Sequence, residues 1–195
     1  MAENKVGYGL SKLYYAIASI DDAKHTATYG TPKAFPGAIS LNLAPQGDRV
    51  IKRADNVDYW IGNANNGYEG DLEVARVSDA FLQEILGEVA DDNGVQVEIK
   101  DVEAIHFALL FQFEGDKRGT RHVLYNCTAA RPAVAGQTTE ETIDPQNETV
   151  SIKASSIYNE AIGKEVVKAK TNENTDATTY EGWYDEVYEI EADSE

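Results

Sequence analysis

The sequence predicts a mainly β protein: an antiparallel β-sandwich or partly closed barrel with a short flanking α-helix and a C-terminal helix. Segments 12–20, 38–43, 57–61, 68–77, 95–100, 105–114, 120–129 and 148–154 carry strand signals, and turn residues join most of them. Only two stretches repeat their apolar residues with a helical period. With 195 residues, of which 42% are aliphatic or aromatic, the chain can bury a real core, and one domain over 1–195 is expected.

The elements follow in chain order. Strands at 12–20 (KLYYAIASI) and 38–43 (AISLNL) precede a segment of different character, APQGDRVIKRADN at 44–56. It is long for a hairpin connection and places Arg49, Lys52 and Arg53 together on an acidic chain. A loop that docks on another copy is expected there, with a solvated loop as the alternative. After the strand at 57–61, Asn66-Gly67 is a tight-turn signal ahead of the next one, because Gly67 accepts positive φ freely and Asn66 tolerates it. In 68–77, Leu72 and Val74 alternate with Asp71 and Glu73, the pattern of a strand with one wet face. A helix comes next: Ser78 can cap it, Phe81, Leu82, Ile85 and Leu86 form one apolar stripe, and Gly87 can end it. DDNG at 91–94 and EGDKRG at 114–119 read as hairpin connections. The last helix runs from Asp176, with Tyr180, Trp183, Tyr184, Val187 and Tyr188 on one face and Glu181, Asp185, Glu186 and Glu189 on the other. An acidic C-terminal helix and tail is therefore expected at 176–195.

Chemistry-bearing patterns are sparse. Cys127 is the single cysteine, which excludes an intrachain disulfide and a thiolate metal site, and its strand context predicts a small buried hydrophobe. His25, His106 and His122 show no ligand spacing. Asp91, Asp92 and Asn93 carry oxygen ligands but lack the alternating spacing and distal Glu of a calcium loop. Asn126-Cys127-Thr128 and Asn147-Glu148-Thr149 match the glycan acceptor pattern, which carries weight only on a secreted chain. No glycine-rich phosphate loop, HExxH, GxSxG or CxxC occurs. Among 34 acidic residues, carboxylate pairs arise by chance, so they do not argue for a glycosidase. No cofactor, no metal and no enzyme activity are expected. No apolar run is long enough to cross a bilayer, and MAENKVGYGL has neither part of a secretory signal, so synthesis in a cytoplasm is expected. Net charge is −17 with a pI near 4.5, which opposes ordinary nucleic-acid binding. Residues 173–195 contain nine acids and no Lys or Arg.

Read in order, YGTPKAFPGAISLNLAPQG, ADNVDYWIGNANNGYEGDLEVARVSDAFLQEILGE, FALLFQFEGDKRGTRHVLYNCTAARPAVAGQTTEETIDPQNETVSIKAS and VKAKT resemble the major tail proteins of long-tailed bacteriophages, closest to the phi13-type group from phages of Gram-positive bacteria. The resemblance runs over about 6–188; the insertion at 155–166 and the end after Tyr188 depart from the pattern. It implies a tail-tube subunit with a β-sandwich or barrel and a flanking helix, a fold shared with the type VI secretion tube. Six copies would close into a ring, and rings would stack into a tube through which phage DNA passes at infection without specific binding. The implied partners are further copies of the chain and the tape measure, tail terminator and distal tail proteins. The implied location is the virion, after the host cytoplasm, with no membrane association. Candidate inter-subunit contacts are Arg49, Lys52, Arg53, Asp55, Tyr59 and Trp60. The alternative is a non-enzymatic β-sandwich binding or adhesion module using Tyr59 and Trp60.

Overall fold

The computed structural model describes residues 3–138 and 145–191. Its strands are β1 (Gly7–Asp21), β2 (Thr26–Tyr29), β3 (Lys33–Ala34), β4 (Ala38–Pro45), β5 (Arg49–Ala54), β6 (Val57–Asn63), β7 (Tyr68–Val74), β8 (Val89–Ala90), β9 (Gln96–Val97), β10 (His106–Gly115), β11 (Thr120–Ala129), β12 (Glu148–Ser155), β13 (Ile157–Asn159), β14 (Lys164–Val166) and β15 (Lys168–Lys170). The helices are α1 (Asp79–Glu84) and α2 (Ala177–Glu181), the second continued by a 3-10 turn at Gly182–Tyr184. One nine-stranded antiparallel sheet runs β2-β1-β10-β11-β12-β7-β4, with β15 also on β11 and β3 also on β1. The sheet folds over on itself as a sandwich and does not close into a barrel.

Central strand β10 explains how both faces of the sheet are used. Phe107, Leu109 and Phe111 point into the larger core with Phe81 of α1, Leu72, Val74, Val150 and Ile152. Ala108 and Leu110 point the other way, toward Val123, Tyr125, Trp183 and Val187. A strand covered on both sides reads as a continuous apolar run, and FALLF is that run. In the larger core Phe35 stacks on Phe81 at 4.5 Å, and Tyr15 and Phe107 meet the same ring edge-on at 5.1 and 5.7 Å. Ser78 caps α1 by accepting from the Phe81 amide, and Gly87 follows at φ +71°.

Several boundaries differ from the sequence expectation, each for a local reason. The strand expected at 68–77 stops at Val74; past it the Ala75 amide still donates to the Gly37 carbonyl, and the Val77 amide turns to Glu148 Oε2 at 2.6 Å. In 95–100 only Gln96–Val97 pairs; Arg131 Nη2 donates to the Ile99 carbonyl at 2.7 Å, and its Nη1 pairs with Glu98. The expected loop at 44–56 is mostly strand: it contains the end of β4 and all of β5. The last helix is shorter than its apolar period, ending at Tyr184, although Val187 and Tyr188 still pack on the same face. The far end of the expected acidic tail, 192–195, lies outside the described residues.

The insertion at 155–166 folds as the hairpin β13–β14. It rests beside β2, where the Tyr158 amide donates to the His25 carbonyl at 2.7 Å.

Candidate functional site: an exposed arm and two open sheet edges

β4 and β7 do not end at the body of the protein; they continue outward as β5 and β6. Gln46 and Gly67 still pair, with the Gln46 amide donating to the Gly67 carbonyl at 2.8 Å. Beyond them Arg49 faces Asn63, so the ribbon has slipped by one residue. Gly47, at φ +130°, takes the strain, and a Cβ there would meet the Ala64 carbonyl oxygen at 2.1 Å. The tip is a two-residue turn in which Asp55 and Asn56 both have positive φ, 50° and 60°, the geometry that matches strand twist.

All six candidate contact residues lie on this arm, so the structure brings them together. Arg49, Lys52 and Arg53 stand on β5, Asp55 in the turn, and Tyr59 and Trp60 on β6. Arg53 Nε donates to Asp58 Oδ1 at 2.7 Å across the arm, an exposed pair of small energetic weight. Tyr59 and Trp60 are 72% and 55% exposed. A register shift between Lys52 and Arg53 makes Tyr59 an extra, bulged residue. Trp60 folds its ring over Gly62, where an added Cβ would sit 2.2 Å from the indole.

The charge cluster pointed to this segment but missed its apolar side. Val50, Ile51, Val57 and Ile61 are also exposed, giving six large apolar residues on one hairpin. The signal was present in RVIKRA and VDYWIGN as two short apolar runs either side of a turn. No arm residue belongs to either core cluster. A bare two-stranded ribbon is marginal in water.

The sheet also ends in two open edges. On β2, the Gly30 amide donates to the Ile17 carbonyl. By alternation the peptide groups of Thr28 and Thr26 face β1, while those of Ala27 and Tyr29 face away. On β4 the Gln46–Gly67 bond sets the same alternation and leaves the peptide groups of Leu41 and Leu43 outward. Neither strand is paired by a further strand of its own sheet among the described residues, but on the outer side of β2 the Tyr158 amide of β13 donates to the carbonyl of the preceding His25, which leaves Ala27 and Tyr29 as the uncovered positions. Beside the β4 edge, the outer face of β7 carries Glu69, Asp71 and Glu73. Ser151 Oγ donates to Asp71 Oδ1 at 2.8 Å, and Ser40 Oγ to Glu73 Oε2 at 3.0 Å.

The C-terminal segment is held by a different device. The Tyr180 ring lies between the guanidinium groups of Arg118 and Arg121, 3.3 and 3.7 Å from its centroid. Arg121 is buried, donates Nε to Gln112 Oε1 at 3.1 Å, and donates Nη1 to the Tyr180 carbonyl. Tyr125 donates its hydroxyl to the Tyr188 carbonyl at 3.1 Å.

The remaining sequence candidates have structural surroundings. Cys127 is fully buried, and burial pushes its thiol well above the ordinary range. Asp91 accepts from the amides of Asn93 and Val95 at 2.9 and 2.8 Å, which closes the β8–β9 turn and holds its carboxyl below the usual range. His106 Nδ1 lies 2.6 Å from Asn126 Oδ1. Among the described residues, no group of three or more His, Cys, Asp or Glu is arranged to hold a metal ion. No helix among them is long and apolar enough to cross a membrane. No family model matches the chain, and no curated protein matches it at a significant level.

Proposed function

We propose that the chain is a tail-tube subunit of a long-tailed bacteriophage: six copies close into a ring, rings stack, and phage DNA passes down the bore at infection. The observation that carries this reading is the β5–β6 arm, which displays six large apolar side chains to water and belongs to neither core. Covering even part of it is favourable, since a fully buried apolar side chain contributes roughly 1.5–3 kcal/mol. The two open edges support the same reading, because a ring needs head-to-tail contacts between different surfaces of one subunit. Charge supports it as well: a surface at −17 per copy offers DNA few basic groups on which to stall.

The reading includes a virion location and contacts with tape measure, tail terminator and distal tail proteins. It requires no cofactor and no catalytic step. Negative-stain microscopy of concentrated purified protein should reveal rings or tubes. A protein that stays monomeric under all conditions and is absent from virions would sink the idea. Exposed Tyr59 and Trp60 favour one other reading, a binding or adhesion module; that reading gains if a monomer binds saccharide through the arm.

A further inference from the structure

A groove of about 630 Å³ runs along the outer edge of β2, past the point where β13 bonds the His25 carbonyl. Its walls are β2 on one side and β13–β14 with Tyr188, Glu189 and Ile190 on the other, and Tyr29 and Tyr125 line it between them. Two features make it more than a surface depression. The outward peptide groups of Ala27 and Tyr29 border it, so an extended chain laid there would find donors and acceptors at strand spacing. Its charged lining is Asp21, Glu160 and Glu189 against Lys24 alone, and Lys24 already lies 3.7 Å from Glu160.

The chain itself contains a matching strand. On the arm, the Ala64 amide donates to the Asp48 carbonyl, so by alternation Val50 and Lys52 bond toward β6 while the peptide groups of Arg49 and Ile51 face outward. Arg49, Ile51 and Arg53 share one face of β5. Two basic residues flanking one apolar residue complement a groove that is acidic at its rim and aromatic within.

We propose that the groove receives the arm of a second copy: β5 of one chain adds to the open edge of β2 in the next, with Ile51 against Tyr29 and Tyr125. Arg49 and Arg53 then face Asp21, Glu160 and Glu189. This rests on the self-association reading above and names the surface that completes it. In the added pair, Thr28 stands at a non-hydrogen-bonded position opposite Val50 or Lys52, where Cα atoms approach to about 4.5 Å, within disulfide reach.

Cysteine pairing tests this, because Cys127 is fully buried and introduced thiols would be the accessible ones. Thr28, Val50 and Lys52 are all exposed, so Thr28→Cys, Val50→Cys and Lys52→Cys leave the fold intact. Thr28→Cys protein is mixed with Val50→Cys or Lys52→Cys protein at assembling concentration and mildly oxidised. Peptide mapping by mass spectrometry identifies the linked pairs. The expected result is a Thr28→Cys to arm linkage at least tenfold above that from a Ser40→Cys control on β4. Assemblies that form normally while the control links as well or better overturn the groove as receptor and leave self-association standing. If no assembly forms at any concentration, both the docking and the reading on which it rests are overturned.

Discussion

Gly62 decides what the arm can present. Trp60 and Gly62 are two residues apart and share a face, and the missing side chain at Gly62 is what lets the indole lie back along the ribbon. Gly62→Ala should lift that ring without touching either core, so thermal unfolding stays put while self-association weakens several-fold and Trp emission shifts. Unchanged association and emission would mean that the indole's resting position is irrelevant to docking. His122 makes a second residue-scale argument. Its ring stacks on Phe111 at 5.0 Å, and burial, with Lys170 and Lys168 nearby, lowers its pKa to about 4. The folded value lies below the unfolded value of about 6.5, so between pH 6.5 and 4 the unfolded chain binds a proton that the folded chain refuses. Stability is therefore free of this penalty above pH 6.5 and falls as pH drops toward 4. His122→Gln should flatten that part of a urea-denaturation pH profile; an identical slope in both proteins would rule the histidine out as its source.

At the scale of elements, what could be read in the sequence depended on the length and burial of each piece. The strand expected at 120–129 is β11 to the residue, and the α1 stripe, cap and closing glycine are all where they were expected. Long, half-buried or fully buried elements impose their period on the sequence, so they can be read back. Strands of two to four residues, such as β2, β3, β13 and β15, span too few positions to show alternation, and their pairing partners are remote. β5 lacks such a pattern for another reason: neither face is buried, so basic and apolar residues mix on both faces and no dry side marks the period. Arg49, Lys52 and Arg53 could nonetheless be picked out, because a basic cluster on an acidic chain is a compositional signal that needs no geometry, whereas their union with Tyr59 and Trp60 on one arm shows only in the pairing of β5 with β6. Replacing 49–63 with a short Gly-Ser linker should leave the melting temperature nearly unchanged and abolish assembly, and a large loss of stability would contradict the arm's independence from the core. The C-terminal segment is the opposite case, since Tyr180 is clamped by two arginines and Asp176 caps α2 by accepting from the Thr179 amide at 2.9 Å. Tyr180→Ala should destabilise the protein by roughly 1–3 kcal/mol, since it removes a desolvated cation–π clamp, and should raise hydrogen exchange over 177–191. Exchange unchanged in that span would show that Trp183 and Val187 hold it unaided.

For the whole molecule, the decisive opposition is between a long-range repulsion and short-range contacts. Each copy carries −17, and at about 0.01 M salt the screening length is roughly 30 Å, comparable to a small domain, so approaching copies feel one another's full excess charge. At about 0.15 M the length falls to roughly 8 Å, which removes most of that barrier. The basic residues of the arm act over only a few ångströms, and Arg53 already shares its charge with Asp58. In the proposed assembly their attraction would therefore steer the last step of docking, whereas the net charge would govern whether copies meet. Assembly followed by light scattering should accordingly speed up as salt rises from about 0.01 to 0.15 M, even though salt weakens each arm contact. The triple reversal Arg49→Glu, Lys52→Glu and Arg53→Glu moves the chain further negative and removes the steering as well. It should slow assembly at both salt concentrations, and by a larger factor at low salt, with the folded monomer unaffected. Assembly that instead slows steadily with salt in the unaltered protein would mean that attraction between complementary patches outweighs the net repulsion. The acidic composition would then act through specific pairing between subunits.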